Sequence, residues 1–177
     1  MSHALLSPSS ASRWLVCTKS ARLEETLPDS VSSYAAEGTL AHELAELFLK
    51  DEFGRITKKE YNAEWKRIKN HELYNEEMLE HCAAFLALVL ETYAEANNNC
   101  GKPIIYFEQN FDLSKYIKEG YGTADVVIVS GKHLIIFDLK YGKGVPVYAE
   151  ENKQAMLYGL GAFLEFDYAY DIQIIEM

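Results

Sequence analysis

The sequence predicts a mixed α/β fold in which a helical N-terminal half, about residues 1–100, precedes a sheet core at about residues 103–177. In the first half, segments 33–50 and 72–97 carry apolar side chains at the three- and four-residue spacing of amphipathic helices. In the second half, short runs rich in valine and isoleucine flank residues 130–131, as in a β-hairpin. A helix and a strand follow, so we expect one domain with a central mixed sheet flanked by helices.

Composition excludes several classes of protein. A chain of 177 residues with 49% hydrophobic residues can bury a substantial core. No apolar run is long enough to span a bilayer and the start lacks the order of a signal peptide, so we expect a cytoplasmic protein. The net charge of −10 argues against adhesion to nucleic acid through the whole surface, but allows a local cationic groove. Cys17, Cys82 and Cys100 are widely spaced, which favours neither a disulfide framework nor a zinc site.

The N-terminal residues predict a short first helix. Residues 7–10, Ser-Pro-Ser-Ser, provide a serine cap followed by proline at the first helical position, and residues 27–30 break the helix. Ser9, Ser10 and Arg13 could contact a phosphate, although capping and solvation explain them as well.

The helix at residues 33–50 carries a second line of residues beside its apolar stripe. Gly38, His42 and Glu46 follow at four-residue steps, so they lie above one another. Glycine inside a helix costs about 1 kcal/mol relative to alanine, and the close approach of another backbone would explain Gly38. His42 could bind a metal through a neutral imidazole, with Glu46 as a further candidate. Alternatively, His42 is a boundary residue paired with Glu46.

Residues 53–70 form the one cationic concentration in this acidic sequence, with lysines and arginines around Tyr61 and Trp65. One interpretation is a surface that binds a nucleic-acid strand, with an aromatic ring stacked on a base. The other interpretation is a solvated helix face whose positive charge is diluted by acidic neighbours.

The hairpin gathers charged residues at its open end. A two-residue loop, at 130–131 or 131–132, would place Asp125 directly opposite Asp138 or one diagonal step away, on the same face. A three-residue loop would place these carboxylates on opposite faces. Because side chains alternate along a strand, Asp138 and Lys140 share one face, roughly 7 Å apart.

Two neighbouring carboxylates raise each other's pKa in a poorly solvated site, and a divalent cation would remove this conflict. Oxygen ligands suit Mg²⁺ or Mn²⁺, which lower the pKa of a bound water and neutralise charge on a phosphoryl oxygen. Lys140 would then orient or activate the water, or hold the phosphate. The alternative is a salt-bridged strand end, since Asp-x-Lys is a common tripeptide.

The remaining elements are a first strand at about residues 103–113, a helix at about 149–165 and a last strand at about 168–176. Gln154 and Tyr158 lie four residues apart on the predicted helix at 149–165, so they project from one helix face. Their amide and phenol groups could hold a phosphate or a base, or cap the sheet edge.

Five short motifs occur in one order along the chain: Leu6-Ser7-Pro8-Ser9-Ser10, Gly38-Thr39-x-x-His42, Gly122-x-x-Asp125, Asp138-x-Lys140 and Gln154-x-x-x-Tyr158. The last four, in this order, resemble the motifs of the PD-(D/E)XK nuclease superfamily, in particular its RecB-like exonuclease branch. The whole chain, including the opening motif, is similar to an uncharacterised phage-associated family within that superfamily. Each motif is weak alone, but their joint order on a helix, a hairpin and a helix is specific.

The resemblance implies a restriction-endonuclease-like core and metal-assisted hydrolysis of phosphodiester bonds in DNA, as expected of a phage or bacterial exonuclease. It implies that Mg²⁺ or Mn²⁺ is bound by His42, Asp125, Asp138 and the backbone carbonyl of Leu139. It also implies that Lys140 is the catalytic lysine and that Gln154 and Tyr158 contact DNA or orient the site. Recombination proteins or a helicase are the implied partners.

Some RecB-like relatives hold an iron–sulfur cluster on four cysteines. Cys17 matches the early position but Cys82 and Cys100 do not match the others, so no cluster is expected in this chain. The sequence stops directly after an apolar strand, as if a longer protein had been cut there.

Two rival functions follow from the same residues. One is a catalytically inactive module that binds nucleic acid or assists assembly while retaining the nuclease fold, since fold does not establish activity. The other is a structural phage protein whose acidic surface meets a basic partner.

Overall fold

The computed structural model describes residues 4–27, 33–142 and 147–177. The helical elements are a 3-10 turn at Pro8–Ser10, α1 (Ala11–Trp14), α2 (Ser20–Glu24), α3 (Ser33–Glu52), α4 (Lys58–Lys69), α5 (Glu76–Cys100) and α6 (Lys153–Tyr170). The strands are β1 (Ile104–Asp112), β2 (Tyr121–Ser130), β3 (His133–Phe137) and β4 (Ile174–Glu176). The fold is therefore mixed α/β with a helical N-terminal half, as the sequence predicts.

The chain divides into two compact units, which are described separately. The sheet unit comprises Met1–Ser30, Asn99–Asp138 and Val147–Met177. The helical unit comprises Val31–Asn98 and Leu139–Pro146. The chain thus passes from one unit to the other between Asp138 and Leu139.

The sheet unit is built on four strands in the order β1-β2-β3-β4. The first three strands are antiparallel, and β4 runs parallel to β3. Side chains from one face of β1, β2 and β3 pack against apolar residues of α6, which include Ala162 and Phe166. Gly161 permits this approach, because a Cβ atom there would lie 2.6 Å from the Cβ of Phe111 on β1.

The last helix and strand differ from the sequence prediction. The predicted strand at about residues 168–176 is wrong in its first part, because α6 continues to Tyr170. Phe166 and Tyr170 explain the longer helix, since both rings pack with the sheet core at helical spacing. Asp171 ends the helix in the left-handed conformation, with φ of 51°.

The N-terminal prediction is correct in its start and wrong in its continuity. Pro8 occupies the first position of the 3-10 turn, but two short helices, α1 and α2, follow in place of one. Ser7 does not cap through its side chain; its hydroxyl lies 3.0 Å from that of Ser9 and 2.9 Å from that of Ser10. The predicted break at residues 27–30 lies mostly outside the described residues.

The helical unit has its own core. The apolar stripe of α3 supplies Leu40 and Leu44, and α5 supplies Met78 and Cys82. An N-terminal capping box begins α4, where the side chain of Thr57 accepts from the backbone of Glu60 and that of Glu60 accepts from the backbone of Thr57. Across the described ranges, no helix combines the length and the apolar character that crossing a membrane would require.

The fold predicts unequal reactivity of the three cysteines. Cys82 is buried and its thiol donates to the carbonyl oxygen of Ala41 at 3.3 Å, whereas Cys17 and Cys100 are exposed. Burial raises the pKa of Cys82 to about 11, which further lowers its thiolate fraction at pH 8. We expect Ellman's reagent to titrate two thiols rapidly and the third only after addition of denaturant. Cys17→Ser and Cys100→Ser should each remove one rapid thiol; three equally rapid thiols would contradict the packing of α5.

Candidate functional site

The register of the hairpin places two carboxylates across from each other in the sheet unit. Ser130 pairs with His133, so the loop is the two-residue turn Gly131-Lys132. The last pair of the ladder is Val126 with Phe137, and one further step brings Asp125 opposite Asp138. The two-residue loop is therefore confirmed, and the register it sets, observed as far as Val126 and Phe137, directs Asp125 and Asp138 to the same face.

A third carboxylate, which the sequence analysis missed, lies on β1. Phe107 pairs with Val126 and Gln109 with Ala124, so Glu108 stands at the level of Asp125. Carboxylate oxygens of Glu108 and Asp125 lie within 4.8 Å of each other. Glu108 has a φ of 48°, a left-handed conformation that L residues adopt at a cost of roughly 1–3 kcal/mol. No sequence motif marks this residue, because its strand position resembles any other exposed position of β1.

The first turns of α6 bring an amide and a phenol to these carboxylates. The Nε2 of Gln154 donates to the Oδ1 of Asp138 at 3.1 Å and to the hydroxyl of Tyr158 at 3.0 Å. The side chain of Asn152 caps α6 by accepting from the backbone N–H of Ala155, which fixes the start of the helix. Gln154 is predicted either to contact DNA or to orient the site. Its hydrogen bond to Asp138 is a contact of the kind that orientation requires.

Tyr158 is buried and its electrostatic surroundings are acidic. Burial raises the pKa of Tyr158 to about 12, the Gln154 hydrogen bond opposes this rise, and the charges of Asp138, Asp125 and Glu108 add to it. The phenol therefore stays protonated at neutral pH. The three carboxylates are therefore close enough to Tyr158 for their charges to raise its pKa.

Gly122 explains how the Tyr158 ring reaches this position. A Cβ atom on Gly122 would lie 2.6 Å from the Cγ of Pro8 and 3.0 Å from the Cε1 of Tyr158. The 3-10 turn is held by the indole of Trp14, whose Nε1 donates to the carbonyl oxygen of Ser7 at 2.9 Å. Three motifs of the sequence thus meet at one glycine of β2.

Other candidate residues belong to the helical unit. His42 is half-buried on α3, and Glu46, one turn later, pairs with Lys50 at 2.6 Å. Leu139 is buried, and Lys140 is exposed. The backbone approach predicted at Gly38 is present: the carbonyl oxygen of Tyr141 would lie 3.6 Å from a Cβ atom there. That is an ordinary contact distance, so the approach does not require glycine.

The cationic segment forms a solvated helix face. Arg67 pairs with Glu43 at 2.7 Å and with Glu64 at 2.8 Å, while Lys58 pairs with Asp51 at 2.8 Å. The rings proposed as stacking platforms are partly buried in the core of the helical unit. These contacts favour the interpretation as a solvated helix face over that of a strand-binding surface. Arg13, the other candidate for a phosphate contact, forms an exposed ion pair with Glu24 at 3.1 Å.

The fold and this geometry define a mixed α/β protein with an acidic cluster at the end of an antiparallel hairpin. The chain belongs to the family described as "Protein of unknown function (DUF2800)", whose model matches residues 3–177. No solved structure matches the chain.

The two motif glycines should respond oppositely to alanine. Gly122→Ala overpacks a contact with the rigid ring of Pro8, so we expect a loss of about 1–3 kcal/mol in the free energy of unfolding. Gly38→Ala fits in its helix and should raise that free energy by up to about 1 kcal/mol. Urea denaturation of both variants measures the difference. A Gly122→Ala protein as stable as the wild type would contradict the packing around Tyr158.

Proposed function

We propose that this protein is a metal-dependent DNA exonuclease that hydrolyses phosphodiester bonds in phage or bacterial DNA recombination or processing. The observation that carries the proposal is the gathering of three carboxylates: the strand register and a separation within 4.8 Å join Glu108 to Asp125, and Gln154 links Asp138 to the buried phenol of Tyr158. Carboxylates in a partly buried place repel one another, and a divalent cation relieves that repulsion. The resemblance of the motifs to RecB-like nucleases supports the same reading.

The donor set fits Mg²⁺ or Mn²⁺. Both ions prefer oxygen ligands, and two oxygens bound to one ion at roughly 2.1 Å are at most about 4.2 Å apart. Glu108 and Asp125 have oxygens within 4.8 Å of each other, so at most a small rotation of these side chains is needed. Asp138 accepts from Gln154, and a carboxylate with about four lone-pair sites keeps capacity for a cation.

Each remaining residue has a proposed role. His42 and the backbone carbonyl of Leu139 would complete the ligand set, as the motifs imply. Gln154 holds the Asp138 carboxylate in one orientation through its 3.1 Å hydrogen bond, and Tyr158 closes the buried side of the cluster as a neutral phenol. Lys140 would orient the attacking water or hold the phosphate. When bound, the metal lowers the pKa of a coordinated water and offsets charge on the phosphoryl oxygen.

The proposal is tested by incubating linear and circular duplex DNA with Mg²⁺, with Mn²⁺ or with a chelator. We expect metal-dependent loss of linear DNA alone. Lys140→Ala should lower the rate about 10²- to 10⁴-fold, as for other positioned acid–base groups, and Asp138→Ala at least as much. Lys66→Ala, a charge removal on the exposed face of α4, is the matched control and should retain activity.

Two results would overturn this proposal. Intact DNA whose migration is shifted by the protein would indicate the binding module in place of the enzyme. Absence of any interaction with DNA, in either metal, would favour a structural role. Cleavage that survives Lys140→Ala would also contradict the assignment of the catalytic lysine.

A second prediction concerns Glu108, because two substitutions distinguish the effect of its charge from that of its backbone conformation. Glu108→Gln and Glu108→Gly should both weaken Mn²⁺ binding at least about tenfold, measured by isothermal titration calorimetry. Only Glu108→Gly relieves the strain at φ of 48°, so it should be about 1 kcal/mol more stable than Glu108→Gln without metal.

Glu119 is the matched control for this pair of variants. It also has a left-handed φ, of 57°, but lies outside the carboxylate group. Glu119→Gly should therefore gain a similar stability over Glu119→Gln while Mn²⁺ affinity stays at the wild-type value. Unchanged Mn²⁺ affinity in both Glu108 variants would remove Glu108 from the site.

A further inference from the structure

The chain leaves the strand ladder before it reaches Lys140. The last pair of β2 with β3 is Val126 with Phe137, and residues 138–141 have no regular secondary structure. A catalytic ammonium requires a fixed place, because a displacement of about 1 Å can cost roughly 10²-fold in rate. The side chains of the two residues flanking Lys140 are therefore the groups to inspect.

Leu139 fixes the segment on one side of Lys140. Its side chain is buried, with 7% of its surface exposed, in the core of the helical unit with Leu40, Met78 and Cys82. Burial of a leucine side chain generally stabilises a fold by about 2 kcal/mol, so removing Leu139 from this core would be unfavourable. Leu139 does not fix the backbone on the C-terminal side of Lys140.

Tyr141 fixes the other side of Lys140. Its hydroxyl donates to the Oδ1 of Asn75 at 3.2 Å, and its ring meets the ring of His81 edge to face, at 5.6 Å between centroids. The ring also packs against the core of the helical unit. Burial raises the pKa of Tyr141, so the hydroxyl remains a donor at neutral pH.

Asn75 is itself rigidly held. Its Oδ1 accepts from the backbone N–H of Met78 at 2.8 Å, which caps the first turn of α5. Its Nδ2 donates to the Oε1 of Glu37 on α3 at 3.3 Å, and lies 3.4 Å from the carbonyl oxygen of Leu73. The acceptor that receives the Tyr141 hydroxyl is thus tied to two helices at once.

Lys140 lines a cleft of about 100 Å³ in the same unit, together with Glu37, Glu77, His81 and Tyr141. Tyr141 therefore both anchors the backbone next to Lys140 and lines the cleft beside the lysine side chain. We infer that Tyr141 is a positioning residue for Lys140, anchored through Asn75. This inference rests on the proposed catalytic role of Lys140, and none of the five sequence motifs contains Tyr141, Asn75 or His81.

Tyr141→Phe tests the inference by removing one hydroxyl and keeping the ring. We expect about a tenfold fall in kcat on linear DNA, with KM and Mn²⁺ affinity unchanged. Tyr74→Phe is the matched control: its hydroxyl is buried in the same unit and, within the described residues, has no hydrogen-bond partner. That variant should keep the wild-type kcat, since no hydrogen bond is lost.

A double-mutant cycle identifies the route of the effect. Asn75→Ala removes the acceptor of the Tyr141 hydroxyl, and it also removes the cap of α5. If the two residues act in series, Tyr141→Phe should lower kcat little further in an Asn75→Ala background. Fully additive losses would overturn the anchoring through Asn75.

A second readout is independent of nuclease activity. Competitive labelling of lysines with acetic anhydride, read by mass spectrometry, reports how firmly Lys140 is held. Tyr141→Phe should change the labelling rate of Lys140 by about threefold or more and that of Lys66 not at all. If the wild type cleaves no DNA, the proposed function fails while this labelling still decides whether Tyr141 holds Lys140. Unchanged labelling of Lys140 overturns the inference whatever the activity.

Discussion

A shift of one residue in the pairing of β2 with β3 would move every side chain of one strand to the opposite face of the sheet. The two-residue turn at Gly131-Lys132 prevents this shift, and Gly131 adopts the left-handed φ of 57° that tight hairpin turns require. The same register buries Val127 and Ile136 in the core and brings Asp125 across from Asp138. Packing of the core and the arrangement of charges in the sheet unit therefore depend on one turn.

The acidic cluster is unfavourable by itself, and the surrounding residues reduce that cost in different ways. Gln154 supplies a donor to Asp138, and Tyr158 stays neutral because burial and the three carboxylates raise its pKa. In contrast, the left-handed backbone of Glu108 adds a local strain, of the kind that is often found at functional sites. Stability is thus lowered at one edge of the sheet, whereas the core behind α6 is densely packed, with Phe111 and Ala162 almost inaccessible to solvent.

The sequence predicted those parts of the site that depend on periodicity. Alternation along strands fixed the relation of Asp125 to Asp138, and spacing along α6 placed Gln154 and Tyr158 on one face. Glu108 was missed because its role arises from a backbone torsion and from a strand pairing across the sheet, neither of which leaves a local pattern.

The remaining errors arise from tertiary packing. Tyr168 and Tyr170 have a high preference for strands, but Tyr170 packs with Phe166 at helical spacing, so tertiary packing outweighs propensity. The need for glycine at position 122 depends on Pro8, which no local window includes. Conversely, the close backbone approach that was expected to require glycine at position 38 leaves an ordinary contact distance of 3.6 Å for a Cβ atom.

The contact of Pro8 with Gly122 has a consequence for how this chain is made. During synthesis the proline leaves the ribosome more than 100 residues before the glycine on which it rests. The first turn therefore cannot dock against Gly122 and Tyr158 until β2 and α6 have been translated. An expression fragment that begins after Trp14 would lack the proline that packs against Gly122 beside the ring of Tyr158.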